Sequence, residues 1–192
     1  MPADRLTVRG APTGATAADI SLLTVDPSRF PAVWEAYRHG LDEVCSGIGA
    51  GGAIPGPEAP AGVTTVVVAA TPDQEVVGGV LLRDRTDVPR RTGLPHLAAA
   101  VAERLPEGVS EVGGCWVLPA CRGRGLGVAL VREAVQVVAG RGRWTVALAN
   151  RSGLGTAVRA GFVPDDRFRD LPLPDARSPR TLCWFDHCAE DR

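Results

Sequence analysis

Lysine is absent from this chain: all 21 basic residues are arginine, which excludes a Schiff-base or lysine-nucleophile mechanism. No apolar run approaches the roughly 20 residues a bilayer-spanning helix needs, so no membrane association is expected. The start, Met1-Pro2-Ala3-Asp4-Arg5, lacks the charged-then-apolar pattern of a signal peptide. The five cysteines are odd in number and irregularly spaced, which argues against a disulfide framework; a reduced, cytoplasmic protein is expected. The formal net charge of −1 gives no electrostatic footprint for nucleic acid or a membrane surface. No Gly-x-Ser-x-Gly elbow is present, so a serine hydrolase is unsupported. Cys183, His187 and Cys188 make no zinc set, because residues 187 and 188 of a strand face opposite ways and a fourth ligand is missing; no metal is expected. What is there is ordinary: 192 residues, 45% hydrophobic and 22% charged, fitting one globular domain over 1–192 with a loose lead-in at 1–17.

Periodicity lays out the elements. Ile20 to Val25 reads as a strand. Ser28 is a candidate N-cap for a helix whose Phe30, Val33, Trp34, Tyr37, Leu41 and Val44 share one face and which ends near Ser46. Residues 47–62, dense in Gly and Pro, read as a long loop. Val63–Ala70 and Glu75–Arg83 form a hairpin about the turn Thr71-Pro72-Asp73-Gln74. After a polar stretch, Leu94–Leu105 reads as a short helix and Glu111–Leu118 as a strand. Gly125–Ala139 is strongly amphipathic, Trp144–Ala149 a strand, Ser152–Ala160 a helix and Thr181–His187 a last strand. The order is mixed α/β, with a mixed central sheet and helices on both faces.

The most informative stretch is Val117-Leu118-Pro119-Ala120-Cys121-Arg122-Gly123-Arg124-Gly125-Leu126-Gly127, running strand, glycine-rich turn, helix. The first turn of a helix has amide N–H groups without intrahelical partners and a partial positive charge. Glycines let an anion approach that backbone, so the segment is suited to a pyrophosphate. It is no Walker A loop, having no Gly-Lys-Ser/Thr. The glycines at 123, 125 and 127 also do not fit the dinucleotide fingerprint.

The segment resembles the signature of the GNAT acyltransferase superfamily, Arg/Gln-x-x-Gly-x-Gly/Ala, as Arg122-x-x-Gly125-x-Gly127 after Val117-x-Pro119. Further matches extend the resemblance over about residues 63–188. Downstream lie a strand, Asn150, a short helix and Gly161-Phe162; upstream, Glu111 stands 11 residues before Arg122. The resemblance implies the α/β GNAT fold and an N-acyltransferase taking an acyl group from acetyl-CoA or another acyl-CoA to a small-molecule amine. By the same resemblance, the main chain of Cys115, Trp116 and Val117 holds the pantetheine arm and acyl carbonyl, as well as forming a core strand. Arg122, Gly123, Arg124, Gly125, Leu126, Gly127 and Val128 cradle the pyrophosphate. Asn150 either binds the pantetheine arm or is a strand-end turn residue. Glu111 is either the general base, acting through water, or a carboxylate paired with an arginine.

Two departures narrow the resemblance. The tyrosine that many members place seven residues after the Asn, as acid for the leaving thiolate, is Ala157 here, and the one tyrosine of the chain is Tyr37. A long insertion, Asp84 to Ser110, precedes Glu111 and is similar to that of acyl-homoserine-lactone and N-acyl amino acid synthases, although their Arg three residues after the Glu is Gly114 here. Those relatives often take acyl groups from carrier proteins, so an acyl carrier protein docking on Arg85, Arg90 and Arg91 is the first alternative. A non-catalytic thioester sensor, prompted by Ala157, is the second. A homodimer is plausible on family grounds. The acceptor pocket falls to the loops 47–62 and 163–180 and the insertion, none of which carries a diagnostic motif.

Overall fold

The computed structural model describes residues 20–47, 62–173 and 178–189. The expected lead-in at 1–17 and nearly all of the 47–62 loop lie outside them. Seven strands form one sheet in the order β1-β2-β3-β4-β5-β7-β6. They are β1 (Ser21–Val25), β2 (Val63–Ala70), β3 (Val76–Arg83), β4 (Val109–Val117), β5 (Trp144–Asn150), β6 (Val163–Pro164) and β7 (Arg180–Asp186). Every neighbouring pair is antiparallel except β4 and β5, which are parallel and joined by a helical crossover. The helices are α1 (Pro31–Gly47), α2 (Val88–Thr92), α3 (Pro95–Ala102), α4 (Leu126–Val138) and α5 (Arg151–Arg159).

β3 is buried along its whole length, which is why Val76–Leu82 reads as an unbroken apolar and glycine run rather than an alternation. Its two glycines identify the layers. A side chain on Gly78 would meet Leu130 of α4, whereas one on Gly79 would meet Tyr37 of α1. Successive strand residues point to opposite faces, so α1 and α4 cover opposite sides of the sheet. A second apolar cluster joins Val88 of α2 and Leu97 and Val101 of α3 to Val109, Val146, Leu182 and Trp184. The insertion between β3 and β4 is thus a structured cover over the lower half of β4, β5 and β7.

Several boundaries depart from the sequence reading. Ser28 does not cap α1: its N–H and hydroxyl both donate to the Asp26 carboxylate, and the helix starts at Pro31, whose missing N–H costs nothing in a first turn. The polar stretch after β3 contains α2, whose Pro89 and Gly93 bracket it. The helix expected over Leu94–Leu105 stops at Ala102 and passes into a 3-10 turn, Leu105–Glu107. β4 begins at Val109, two residues before Glu111, and β6 is an edge strand too short to leave a pattern. Among the described residues no helix is long and apolar enough to cross a membrane.

Candidate active site

β4 and β5 pair only from Val109↔Trp144 to Val112↔Ala147. Beyond that point the strands part, leaving Gly113–Val117 on one wall and Leu148–Asn150 on the other. On its far edge β4 stays attached to β3, but with a bulge. Gly79 pairs with Trp116 and Leu81 with Gly113, so Gly114 and Cys115 are skipped by the register. Gly114 adopts φ +57, the left-handed conformation that favours glycine. Past the bulge the strand alternates as usual, so consecutive side chains point to opposite faces of the sheet. The exposed Cys115 thiol lies 4.0 Å from the Gly127 carbonyl beside α4, and the buried Trp116 indole packs under α1.

The parted strand runs straight into the glycine turn. Leu118 N–H donates to the Val77 carbonyl at 2.9 Å, and Arg122 Nε donates back to the Val117 carbonyl at 3.0 Å, fastening the turn to the end of β4. Gly123 and Gly125 both have φ +78, and a side chain at either would meet nothing within 4 Å. Conformation, not crowding, therefore asks for glycine at these two positions. Gly127 differs: its Cβ would sit 3.4 Å from Thr156 Cγ2, so it sets the close approach of α4 to α5. Gly125 caps α4 without a side-chain hydrogen bond. The first amides of the helix, at Leu126, Gly127 and Val128, are left facing the turn.

Asn150 ends β5 and caps α5. Its Oδ1 accepts from Gly153 N–H at 2.7 Å and from the Ser152 hydroxyl at 2.9 Å, so the oxygen is committed to the cap. Ala157 is buried, and its carbonyl accepts from Phe162 N–H at 3.0 Å.

Glu111 is 1% exposed, on the α1 and α3 side of β4. Its Oε2 accepts from Asp87 N–H at 2.9 Å and from the Thr86 hydroxyl at 3.3 Å, and Arg83 Nη1 stands 3.4 Å from Oε1. The carboxylate thus fastens the start of the insertion to the sheet. It also balances Arg83, whose buried Nε has no hydrogen-bond partner among the described residues. Sequence reasoning named Glu111 but neither Arg83, Thr86 nor Asp87. It also placed Tyr37 on a core helix face without seeing that its hydroxyl donates to the Gly114 carbonyl at 2.7 Å. The paired glycines 78–79 and 113–114, each inside a strand, are the signal that a bulky group approaches the backbone there. Among the described residues no group of three His, Cys, Asp or Glu could hold a metal ion.

Among the described residues, one parallel pair that parts beside a bulge in β4 and opens onto a glycine turn and a helix without a side-chain cap defines an α/β acyltransferase fold. The chain belongs to the acetyltransferase (GNAT) family, whose profile matches residues 25–162. No curated protein matches it in sequence. Among solved structures, FeeM, an N-acyl amino acid synthase from uncultured soil microbes, has a TM-score of 0.66 at 11% identity, over 90% of this chain and 94% of its own. AAC(6')-Ib, solved with ribostamycin and coenzyme A, gives 0.59 at 17% identity over 91% and 97%. An acyl-CoA N-acyltransferase from Pseudomonas aeruginosa gives 0.57 at 17% over 86% and 99%. At these identities the likeness is one of fold.

Proposed function

We propose that this protein transfers an acetyl or other acyl group from acyl-CoA directly to a small-molecule amine. The observation that carries the reading is the continuity of the parted β4 edge with the glycine turn. Together they offer an extended backbone for a pantetheine arm and, at its end, unpaired helix amides for a pyrophosphate. Gly113–Val117 line one side of the arm, the Nδ2 group of Asn150 reaches it from β5, and Gly123–Val128 receive the pyrophosphate. The acceptor comes from the opposite face, where α1 and the insertion flank β4. Its amine attacks the thioester carbonyl, the C–N bond forms as the C–S bond breaks, and backbone N–H groups at the bulge stabilise the charge gathering on oxygen. Glu111, on the acceptor face, draws the amine proton through water. The leaving thiolate belongs to a thiol with a pKa of about 8.5, so it departs without the tyrosine that Ala157 replaces.

Calorimetric titration with acetyl-CoA, CoA and dephospho-CoA tests this. Binding of all three is expected. It should weaken by about tenfold or more in Gly125→Val, because a branched side chain is strained at φ +78 and stands in front of the helix amides. Absence of binding to all three would overturn the CoA reading in favour of a carrier-protein donor. Binding without turnover on any amine would favour a sensor.

A further inference from the structure

We propose that Tyr37 is a positioning residue for the acyl transfer: its hydroxyl fixes the Gly114–Cys115 peptide so that the Cys115 N–H is aimed at the acyl carbonyl. The inference rests on the acyl-CoA reading above.

Its basis is a lock between one helix and one bulge. Tyr37 is fully buried; its ring stacks on Trp34 at 5.5 Å and lies tilted against Trp116 at 6.2 Å. Three glycines make room for it and for Trp116. A Cβ on Gly79 would come within 2.7 Å of Tyr37 Cδ2, one on Gly114 within 2.1 Å of the Tyr37 hydroxyl, and one on Gly40 within 2.0 Å of the Trp116 ring. None of the three can acquire a side chain while both aromatics keep their places. The hydroxyl is the one polar group of the Tyr37 side chain, and it donates to the carbonyl of Gly114, a residue the β3–β4 register skips. A carbonyl in a stretch that the ladder skips is held less firmly by the sheet about its two flanking dihedrals. The peptide that follows Gly114 is planar and trans, so its C=O and the next N–H point in opposite directions. With the Gly114 carbonyl held toward α1, the Cys115 N–H is directed away from α1, to the side where the Cys115 thiol approaches Gly127 and the glycine turn lies. That is the side from which the acyl donor enters in the proposed reaction. Burial pushes the hydroxyl well above its ordinary pKa of 10.0, so it remains a donor to that carbonyl rather than an acid for the thiolate.

Tyr37→Phe removes the hydroxyl and keeps the ring. The test pairs its steady-state kinetics with the isotope-edited infrared band of bound acetyl-CoA labelled with carbon-13 at the acyl carbonyl. In the wild type the band should move to lower frequency on binding, as a carbonyl that accepts hydrogen bonds does. In Tyr37→Phe that shift should shrink, and kcat should fall by roughly tenfold to a hundredfold, less than loss of a direct oxyanion donor costs. The Kd for CoA, which has no acyl carbonyl, should stay within about twofold of wild type. A role confined to packing would lower Tm and leave the band and kcat unchanged, and that outcome overturns the proposal while leaving the acyl-CoA reading intact. Failure of the wild type to bind acetyl-CoA overturns that reading, and this inference with it. Should Tyr37→Phe not fold, 3-fluorotyrosine supplied biosynthetically labels Tyr37 alone, since the chain has one tyrosine. Its fluorine resonance should then move when acetyl-CoA is added and not when CoA is added; equal response to both overturns the proposal.

Discussion

Glu111 is the residue at which two demands meet. It shares the α1 face of β4 with Gly113, whose Cβ would lie 3.9 Å from its Oε1, and it is also the anchor of Thr86, Asp87 and Arg83. Glu111→Gln tests both at once. Replacing one carboxylate oxygen with an NH2 turns an acceptor into a donor facing other donors and leaves Arg83 buried without its counter-charge. A loss of about 3 kcal/mol, read from denaturant unfolding, is expected. If Glu111 also draws the amine proton, kcat should fall by roughly a hundredfold while the Kd for CoA stays near that of the wild type. A variant that loses stability but keeps kcat assigns the residue to anchoring alone. The sequence placed Glu111 by its distance from Arg122, because strand, turn and helix lengths are local. Its partners come from contacts 24 to 28 positions away, and no periodicity encodes those. Tyr37 is the extreme case: its core-facing position was legible from helix spacing, but its hydroxyl partner lies 77 positions downstream.

At the scale of elements, what was legible follows how each element is specified. α4 and β5 carry their own periodicity, and the glycine turn between β4 and α4 demands residues that only a turn tolerates, so both were read correctly. β6 is two residues long and exists only because β7 offers it an edge; α2 is one turn set by a proline and a glycine in polar surroundings. Ser28 failed as a cap because Asp26, two residues before it, supplies the better acceptor for the local turn. The docking of α1 yields a prediction whose sign runs against propensity. Gly40 sits in the middle of α1, where replacement by Ala would ordinarily stabilise by about 1 kcal/mol. Here the added Cβ would be 2.0 to 2.5 Å from three atoms of the Trp116 indole, which is rigid and itself buried. Gly40→Ala should therefore destabilise by about 2 kcal/mol as α1 is forced off the sheet. A melt at or above the wild-type Tm would show that the helix docks with more slack than this packing allows.

For the whole molecule, the layered plan explains why the site stands where it does. Helices on both faces hold β3 and the lower halves of β4 and β5 in one sheet, and the strands part only at the open end, beside the bulge. A sheet so enclosed also makes global stability depend on groups that must stay neutral. Cys183 lies at the centre of β7 with no exposed surface, and burial pushes its thiol from the ordinary 9.0 up to about 11. The folded chain thus holds this proton more tightly than the unfolded chain does. Its contribution is complete below pH 9 and drains away as the pH climbs toward 11, reaching at most about 3 kcal/mol. Burial raises the Cys115 and Cys45 thiols from the same ordinary 9.0 and the Tyr37 hydroxyl from 10.0, so between pH 9 and 10 the share of Cys183 is the difference between the wild type and a Cys183 variant. Chemical denaturation at intervals of half a pH unit should show unfolding free energy falling across that window in the wild type. Cys183→Ala, which has no proton to lose, should show a flatter line there, whatever its absolute stability. Parallel slopes in the two proteins would mean that the β7 thiol ionises as freely in the fold as in the unfolded chain. The core around it would then admit water that the packing of β7 between α5 and the insertion leaves no room for.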